Sequence, residues 1–339
     1  IVASLVFQLG CVFSALVTRN LGGVIVSTSP PFIGLAAVLL RKLRGVRYAY
    51  WVMDVNPDQL IALGILAARH PLAKVLARIN DLVVRNASLI VVLDRFMAAR
   101  ILERTPGVSR LEIIPPWVRD PAPRAVSRED NEFRVEQGWG TDLVFLYSGN
   151  HTPSNPLATL LEAARQLRAL KGVRFVFIGG GTGKREVDDM IGRHKLENAS
   201  SLPYLPLEKL DVSLPAGDVH VISMGEKMTG VIHPSKVYSA MAAGRPILYL
   251  GPSASHVTEI LDKFDIGWRV DHGDVDGMVA MIRRIAAHAP AELHAIGARG
   301  QRALASDFDP ATLRERFCRL FEEDVLRATG NRQISSLSS

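Results

Sequence analysis

Residues 143–181 read LVFLYSGNHTPSNPLATLLEAARQLRALKGVRFVFIGGG, and this stretch decides the fold. The apolar run at 143–149 predicts a strand that ends in a glycine. Residues 156–170 predict a helix, and 173–181 predict a second strand that ends in a glycine run. Strands that alternate with helices of this length indicate βαβ units, which place their strands in a parallel sheet.

The same alternation fills most of the chain and is interrupted once. Other predicted strands lie at 24–28, 47–54, 88–93, 111–118, 218–224 and 246–251. Residues 119–141 are polar and rich in Pro and Gly, which is typical of a linker, here with a short helix. We therefore predict an α/β fold with two Rossmann-like parallel-sheet domains that face one another across a cleft. The predicted boundaries are 1–118 for the N-terminal domain, 119–141 for the linker, 142–326 for the C-terminal domain and 327–339 for a flexible tail.

Composition and charge indicate a globular protein with a basic N-terminal third. Hydrophobic residues make up 48% of the 339 residues, which is a globular composition. Cys11 and Cys318 are too few for a disulfide framework or a zinc site, so we expect a reducing, cytoplasmic setting. Residues 1–120 hold 14 Lys/Arg against 7 Asp/Glu, whereas the rest is nearly balanced. This asymmetry predicts either an anionic partner, a membrane surface or a nucleic acid, or simply a solvated basic face.

Nucleic acid is the weaker of these partners, and we expect none. The longest basic run is RKLR at 41–44, and aromatic residues make up only 6% of the chain, whereas a nucleic-acid groove usually shows more of both. The chain opens with 18 uncharged residues before Arg19, close to the ~20 needed to span a bilayer. Polar residues such as Gln8 dilute this stretch, so we predict a buried or interfacial helix. Because the sequence starts without Met, we also expect part of the N-terminal domain to precede Ile1.

Residues 230–246, GVIHPSKVYSAMAAGRP, form the first candidate site. A helix that starts near Pro234 and Ser235 would present free amides and a positive end, and Lys236 would add a charge. Such an arrangement holds phosphate groups. The alternative, a helix cap with a solvent-exposed lysine, has equal weight on spacing alone.

Two glycine loops end neighbouring predicted strands. The first contains Gly149, Asn150 and His151 ahead of a helix, and it offers backbone and side-chain donors without Arg or Lys. The second, FIGGGTGKRE at 177–186, contains Gly180 but matches neither GxxxxGK[ST] nor GxGxxG, so it is a weak nucleotide signal. Ordinary βα turns are the alternative for both loops.

Carboxylates in the N-terminal domain form a third candidate group. Asp54 falls at the end of a predicted strand, where it would orient an acceptor hydroxyl, act as a general base or cap the next helix. Asp58 and Ser29 lie on the same expected side. The sequence has no GxSxG, no HExxH and no clustered Cys/His, so we predict neither a serine triad nor a metal site.

The order of these motifs resembles the GT-B glycosyltransferases of family 4, in the branch that makes bacterial surface polysaccharide and O-antigen. The similarity covers about residues 20–325 and rests on the segments STSPP, WVMDVNPDQLIALG, SLIVVLDRFM, LYSGNH, FVFIGGG and HPSKVYSAMAAGRPIL. The resemblance implies a retaining transfer without a bound metal, from a UDP- or GDP-linked sugar bound mainly by the C-terminal domain; no separate cofactor is expected. It implies that the donor site consists of Gly149, Asn150, His151, Gly180, Gly230, His233, Pro234, Ser235, Lys236 and Ser239.

Within this resemblance, Lys236 is the expected catalytic cation on the leaving diphosphate, and Asp54 is the expected acceptor-side catalytic group. Two departures stand out. Many members carry two glutamates where this chain has Val231 and Ser239, and an arginine and a lysine where it has Asn150 and His151.

We therefore expect a glycosyltransferase that acts on a nascent or lipid-linked glycan of the cell envelope, in peripheral contact with anionic lipid at the cytoplasmic membrane face. The alternatives are a non-catalytic GT-B protein that binds a glycan or a partner, and a nucleotide-sugar epimerase.

Overall fold

The computed structural model describes residues 2–30, 32–118, 128 and 130–327. Its helices and strands alternate as the sequence predicts, and they form two compact units. The first unit comprises the described residues of Ile1–Pro116, Lys227–His233 and Ala311–Ser339, and the second comprises those of Trp117–Glu226 and Pro234–Pro310.

The first unit contains a four-stranded parallel sheet in the order β1-β2-β3-β4. Its strands are β1 (Gly23–Ser27), β2 (Arg47–Trp51), β3 (Leu89–Val92) and β4 (Leu111–Ile113). Its helices are α1 (Val2–Val17), α2 (Ile33–Arg44), α3 (Asp58–Ala62), α4 (Pro71–Asn86), α5 (Arg95–Arg104) and α14 (Pro310–Phe321), and a π-helix follows at Glu322–Arg327. Each strand pairs with the next along the chain, so right-handed crossovers place α2, α4 and α5 on one face of the sheet.

The two faces of this sheet are covered by different parts of the chain. Tyr48 and Tyr50 belong to an apolar core with Val83 and Met97 of the crossover helices. Trp51, one residue on, points to the other face because side chains alternate along a strand. Its ring lies 5.0 Å from that of Phe317 on α14. The last helices therefore pack on the first unit, whereas the sequence analysis placed 142–326 together in the C-terminal domain.

The second unit contains a six-stranded parallel sheet in the order β10-β9-β8-β5-β6-β7. Its strands are β5 (Leu143–Ser148), β6 (Val173–Ile178), β7 (Ala199–Leu202), β8 (Val219–Ser223), β9 (Ile247–Leu250) and β10 (Gly267–Val270). Its helices are α6 (Glu132–Gln137), α7 (Ala158–Gln166), α8 (Lys184–His194), α9 (Leu210–Ala216), α10 (Lys236–Ala242), α11 (His256–Phe264), α12 (Val275–Ala286) and α13 (Pro290–Asp307), with 3-10 turns at Leu207–Lys209 and Glu226–Met228. The strand order reverses between β5 and β8, and ligands of open α/β sheets bind at such a reversal, beyond the carboxyl ends of the strands.

The predicted linker contributes a structural element to the second unit. The short helix expected within 119–141 is α6, whose Phe133 and Arg134 are buried. Arg134 Nη1 lies 3.0 Å from the buried Asp218 carboxylate, and Val144 N donates to the same carboxylate at 2.8 Å. Residues 119–127 and 129 lie outside the described residues, as does the predicted tail apart from Arg327, which ends the π-helix.

Helix α1 is exposed rather than buried. Phe7, Leu9 and Phe13 are 59%, 68% and 67% exposed. Its carboxyl end is held by Arg44 of α2, whose guanidinium donates to the carbonyls of Ala15, Leu16 and Thr18. Across the described residues, every helix falls short of the length and apolarity that a bilayer crossing requires.

Candidate donor and acceptor sites

Lys236 and the glycine loop after β5 meet within the second unit. Lys236 is the first residue of α10, and its ammonium group donates to Tyr147 Oη at 2.7 Å while lying 4.0 Å from the centroid of the Tyr147 ring. A methyl group on Gly149, whose φ is 131°, would lie 2.6 Å from Lys236 Cε. The backbone conformation therefore favours glycine at 149, and a side chain there would displace the end of the lysine.

The second glycine loop packs directly on the first. A Cβ on Gly179 would lie 2.0 Å from the carbonyl oxygen of Gly149, and one on Gly181 would lie 2.3 Å from Asn150 Oδ1. The loops are joined by hydrogen bonds from His151 N to the Gly180 carbonyl, at 2.7 Å, and from Gly183 N to the His151 carbonyl, at 3.0 Å. The structure thus brings together five of the predicted donor residues: Gly149, Asn150, His151, Gly180 and Lys236.

Helix α10 starts close to the predicted position, with Ser235 as its N-cap residue, but two amides of the neighbouring glycine loop are not free. Helix α10 has only seven residues and begins at Lys236, and exposed Ser235 makes no side-chain cap bond. The amides of Gly149 and His151 already donate to carbonyls. The expected amide-rich phosphate cradle is therefore partly occupied by the protein's own backbone, and positive charge must come from side chains.

His151 lies inside the cluster as an unpaired base. It is 1% exposed, its ring meets that of Tyr147 edge-on at 5.0 Å, and among the described residues neither ring nitrogen makes a hydrogen bond of ordinary geometry. Burial first, and then the charges of Lys236 and Lys184, lower its pKa against a smaller opposing effect of the Gly180 and Gly149 backbone. Burial also lowers the pKa of Lys236 to about 7. Both groups are therefore uncharged over part of the physiological pH range.

Two tyrosines of this site were not predicted. Tyr147 Oη donates to the Asn150 carbonyl at 2.7 Å while it accepts from Lys236, so it fixes the loop and the lysine together. Tyr204 is 59% exposed, and its hydroxyl donates to Asn150 Oδ1 and the Gly180 carbonyl. The position of Tyr147 two residues before the end of the predicted strand 143–149 was the available signal.

Other predicted donor residues have different surroundings. His233 belongs to the first unit, where its Nδ1 lies 2.7 Å from Oδ2 of the buried Asp94, the residue that caps α5. Gly230 approaches the backbone of that helix, since a Cβ there would lie 2.6 Å from the Phe96 carbonyl oxygen. Buried Pro234 accepts a hydrogen bond from Val237 N, and Ser239 accepts one from Ala243 N through its carbonyl.

The acceptor-side candidates separate into one half-buried carboxylate and one ion-paired carboxylate. Asp54 follows β2, its amide lies 3.3 Å from Thr28 Oγ1, and burial raises the pKa of its side chain. Asp58 instead pairs with Arg100 at 3.1 Å and with Arg104 on α5, which gives it a structural role. Ser29 is exposed, and its amide lies 3.3 Å from Ser27 Oγ.

A cavity of about 460 Å³ lies in the same unit at the carboxyl ends of β1 and β2. Apolar side chains dominate its lining, with polar groups such as Thr28, Asn56 and Asn80 among them. This composition is typical of sites that bind a small organic group and fix its orientation with a few polar contacts.

Comparisons with known proteins agree with the fold. Residues 142–288 match the family described as glycosyl transferases group 1. A Pseudomonas aeruginosa protein named as a glycosyltransferase, WbjE, is 30% identical over 269 residues, which are 78% of this chain and 66% of that protein. An Escherichia coli K12 protein named for a colanic acid biosynthesis glycosyl transferase, WcaI, is 24% identical over 73% of this chain and 61% of its own length. The chain thus spans somewhat less than two thirds of these two relatives.

The solved structure of Anabaena HepE, a complex with UDP and glucose, has a TM-score of 0.74 at 13% identity, over 93% of this chain and 81% of that one. The predicted GT-B architecture, with two Rossmann-like parallel-sheet domains, is confirmed.

We expect Gly179→Ala to disrupt the second unit more than Gly172→Ala does. Both positions have positive φ, so each alanine costs about 1–2 kcal/mol of backbone strain. Only at 179 does the new methyl group also meet a backbone oxygen, whereas position 172 is open; the overpacking adds about 1–3 kcal/mol. Thermal unfolding of the two variants measures the difference, and equal shifts in midpoint would contradict the close packing of the two loops.

Proposed function

We propose that this protein is a retaining glycosyltransferase that moves a sugar from a UDP- or GDP-linked donor to a glycan acceptor of the cell envelope. The observation that carries this proposal is the contact of half-buried Lys236 with buried Tyr147 beside two interlocked glycine loops, at the strand-order reversal of the second sheet. The match of this unit to glycosyl transferases group 1, and the names of WbjE and WcaI, support the reaction class.

In this proposal the second unit binds the donor diphosphate. When the bond between the sugar and the diphosphate breaks, negative charge develops on the leaving oxygen. A lysine held in a largely buried site stabilises that charge without reorganising, which is the most effective form of electrostatic catalysis. The cation makes a bound metal unnecessary for this step, so we propose metal-independent transfer. The exposed ring of Tyr204, fixed at the loop edge by its hydroxyl, is available to pack against a nucleobase.

The first unit is proposed to bind the acceptor. The cavity of about 460 Å³ supplies apolar surface, and Asp54 supplies a carboxylate with a raised pKa. Such a group is a stronger base than an ordinary aspartate and orients an acceptor hydroxyl while accepting its proton.

A second candidate function is a GT-B protein that binds a nucleotide or glycan without transfer. The burial of Val231 favours it: this side chain is 0% exposed and its carbonyl accepts from Val55 N at 2.8 Å, where the family resemblance implies a glutamate. A donor that binds and is never consumed in the presence of glycan acceptors would favour this candidate.

The donor site is tested by calorimetric titration with UDP, GDP and their common sugar derivatives. We expect one nucleotide to bind wild-type protein, and Lys236→Met to weaken that binding about 10- to 150-fold, the range for loss of a hydrogen bond to a charged group. Methionine keeps the apolar stem that packs on Gly149. Lys171→Met, on an exposed turn of the same unit, is the matched control and should bind normally. Binding that is unaffected by Lys236→Met would refute the assignment.

Asp54 is tested by its effect on turnover. Asp54→Asn should lower kcat by about 10²- to 10⁴-fold, the usual contribution of a general base, while the donor Kd stays unchanged. Because burial raises the Asp54 pKa, the required carboxylate is lost at a higher pH than for an ordinary aspartate. Activity should therefore fall as pH decreases through that raised value, and the acid limb should disappear in Asp54→Asn. An unchanged kcat would rule out this role.

We also propose peripheral attachment to anionic lipid through the first unit, supported by the basic N-terminal third and the exposed apolar residues of α1. The protein should sediment with anionic vesicles and be released at about 0.5 M salt, where screening limits attraction to a few Å. The double substitution Phe7→Ser and Phe13→Ser should weaken sedimentation. Val135→Ser, at a 69% exposed site of the second unit, should not. Retention of the protein at high salt would argue against an electrostatic attachment.

A further inference from the structure

Half-buried Lys236 and buried His151 lie beside the glycine loops of the second unit, and among the described residues neither is paired with an anion. Lys236 donates to a neutral phenol, the Tyr147 hydroxyl, and lies over the ring of the same residue. His151 packs edge-on against that ring, and neither of its nitrogens makes a hydrogen bond of ordinary geometry, although the backbone of Gly149 and Gly180 lies close enough to raise its pKa slightly. Among the described residues, no carboxylate forms an ion pair or hydrogen bond with either base.

The other ionisable groups around this pair do not supply the missing charge. On α8, Lys184 lies near His151 and pairs with Asp188 at 2.7 Å; the Asp188 carboxylate also interacts with His151, but more weakly than with Lys184. Glu186 of the same helix lines a small cavity with His151 and makes no hydrogen bond to it. Burial raises the pKa of Tyr147 well above its usual range, so this phenol stays neutral. Tyr204 binds Asn150 and the Gly180 carbonyl.

A buried cation without an anion is costly, because the interior solvates charge far less well than water does. The protein avoids this cost by releasing the proton. Burial accordingly lowers the pKa of Lys236 to about 7, and burial together with the Lys236 and Lys184 charges lowers that of His151. At pH 8 the empty site therefore holds two largely neutral bases.

We propose that His151 and Lys236 each take up a proton when the diphosphate of the donor binds, so that the ligand itself charges the site. This inference rests on the proposed function, since it requires a diphosphate ligand. The protons come from solvent and add to the Lys236 amine and to one ring nitrogen of His151. No bond of the ligand breaks in this step.

Proton uptake explains how a loop with occupied amides can hold a diphosphate. The two negative charges of a nucleotide sugar raise the proton affinity of both bases, and the protonated forms then supply donors that the empty site lacks. His151 thereby takes the role of a fixed cation only while the ligand is present. During transfer, the same two charges balance the negative charge that develops on the leaving phosphate.

The sign of the pH dependence follows from this scheme. The bound-state pKa values exceed those of the free protein, so binding is strongest below the free values and weakens as pH rises through them. Above about pH 7, the donor affinity should fall by up to about tenfold per pH unit for each proton that is taken up on binding. Donor affinity should therefore fall steeply between pH 7 and pH 9. In a site built from arginine, which stays protonated over this range, the affinity would not fall in this way.

The test is calorimetry of the full chain with UDP-glucose and with GDP-mannose at pH 8, in phosphate-free buffers of different ionisation enthalpy. The diphosphate of a nucleotide sugar has no group that titrates near this pH, so buffer-dependent heat reports protons bound by the protein. We expect uptake of about one to two protons per ligand. Lys236→Arg and His151→Gln should each take up about one proton fewer and flatten the pH dependence of Kd. His194→Gln, outside the loops, is the matched control.

The outcomes separate the two proposals. If neither nucleotide sugar binds wild-type protein at any pH from 6 to 9, the proposed donor site is wrong and this inference fails with it. If one binds with the same heat in every buffer, the donor site stands and proton uptake is refuted. Uptake that persists undiminished in both Lys236→Arg and His151→Gln would assign the protons to other groups and would also overturn the inference.

Discussion

A lysine amine that contacts a tyrosine, and that has no carboxylate partner in the part of the chain that the structure describes, is the constraint on which the candidate site depends. The end of the lysine side chain lies so close to Gly149 that a side chain there would displace it. The phenol that receives the amine also fixes the Asn150 carbonyl. Its ring supports His151, and the His151 backbone in turn holds the second loop through Gly183. The contact between Lys236 and Tyr147 thus links both loops, and two bases come to lie together in the site.

The fold was largely predictable because its signals are local and repeated. All the predicted strands are present, and the strand-helix alternation gave the parallel sheets and the number of domains. The assignment of the last helices differs because it depends on a long-range contact. Nothing in the periodicity of 310–327 shows that Phe317 packs on Trp51 rather than on the adjacent sheet. For the same reason, the burial of α6 through Arg134 and Asp218 could not be derived from a Pro-rich stretch.

The site was predictable in location and less so in chemistry. Glycines at strand ends indicate close backbone approach, and the structure brings Gly149 and Gly179 together. Sequence spacing does not reveal where amides direct their hydrogen bonds, so the occupied amides were missed. Sequence spacing also does not reveal contacts between residues far apart in the chain. The pairing of His233 with Asp94 is such a contact, and it was not predicted. The two tyrosines escaped notice because their hydroxyls act at the ends of apolar runs that also predict core.

The four positions at which this chain departs from the family resemblance have a common physical explanation. The resemblance implies two glutamates and two fixed cations near the donor, whereas this chain has Val231, Ser239, Asn150 and His151. The two negative glutamates and the two positive side chains are thus all replaced by neutral residues. The fixed charges are removed, but the net charge of these four positions stays at zero. Val231 is fully buried and its carbonyl is bonded to Val55, so that position serves packing. With the opposing carboxylates gone, bases that gain their charge only from the ligand are sufficient, and a permanently charged arginine at 151 would have no counterion in the empty protein.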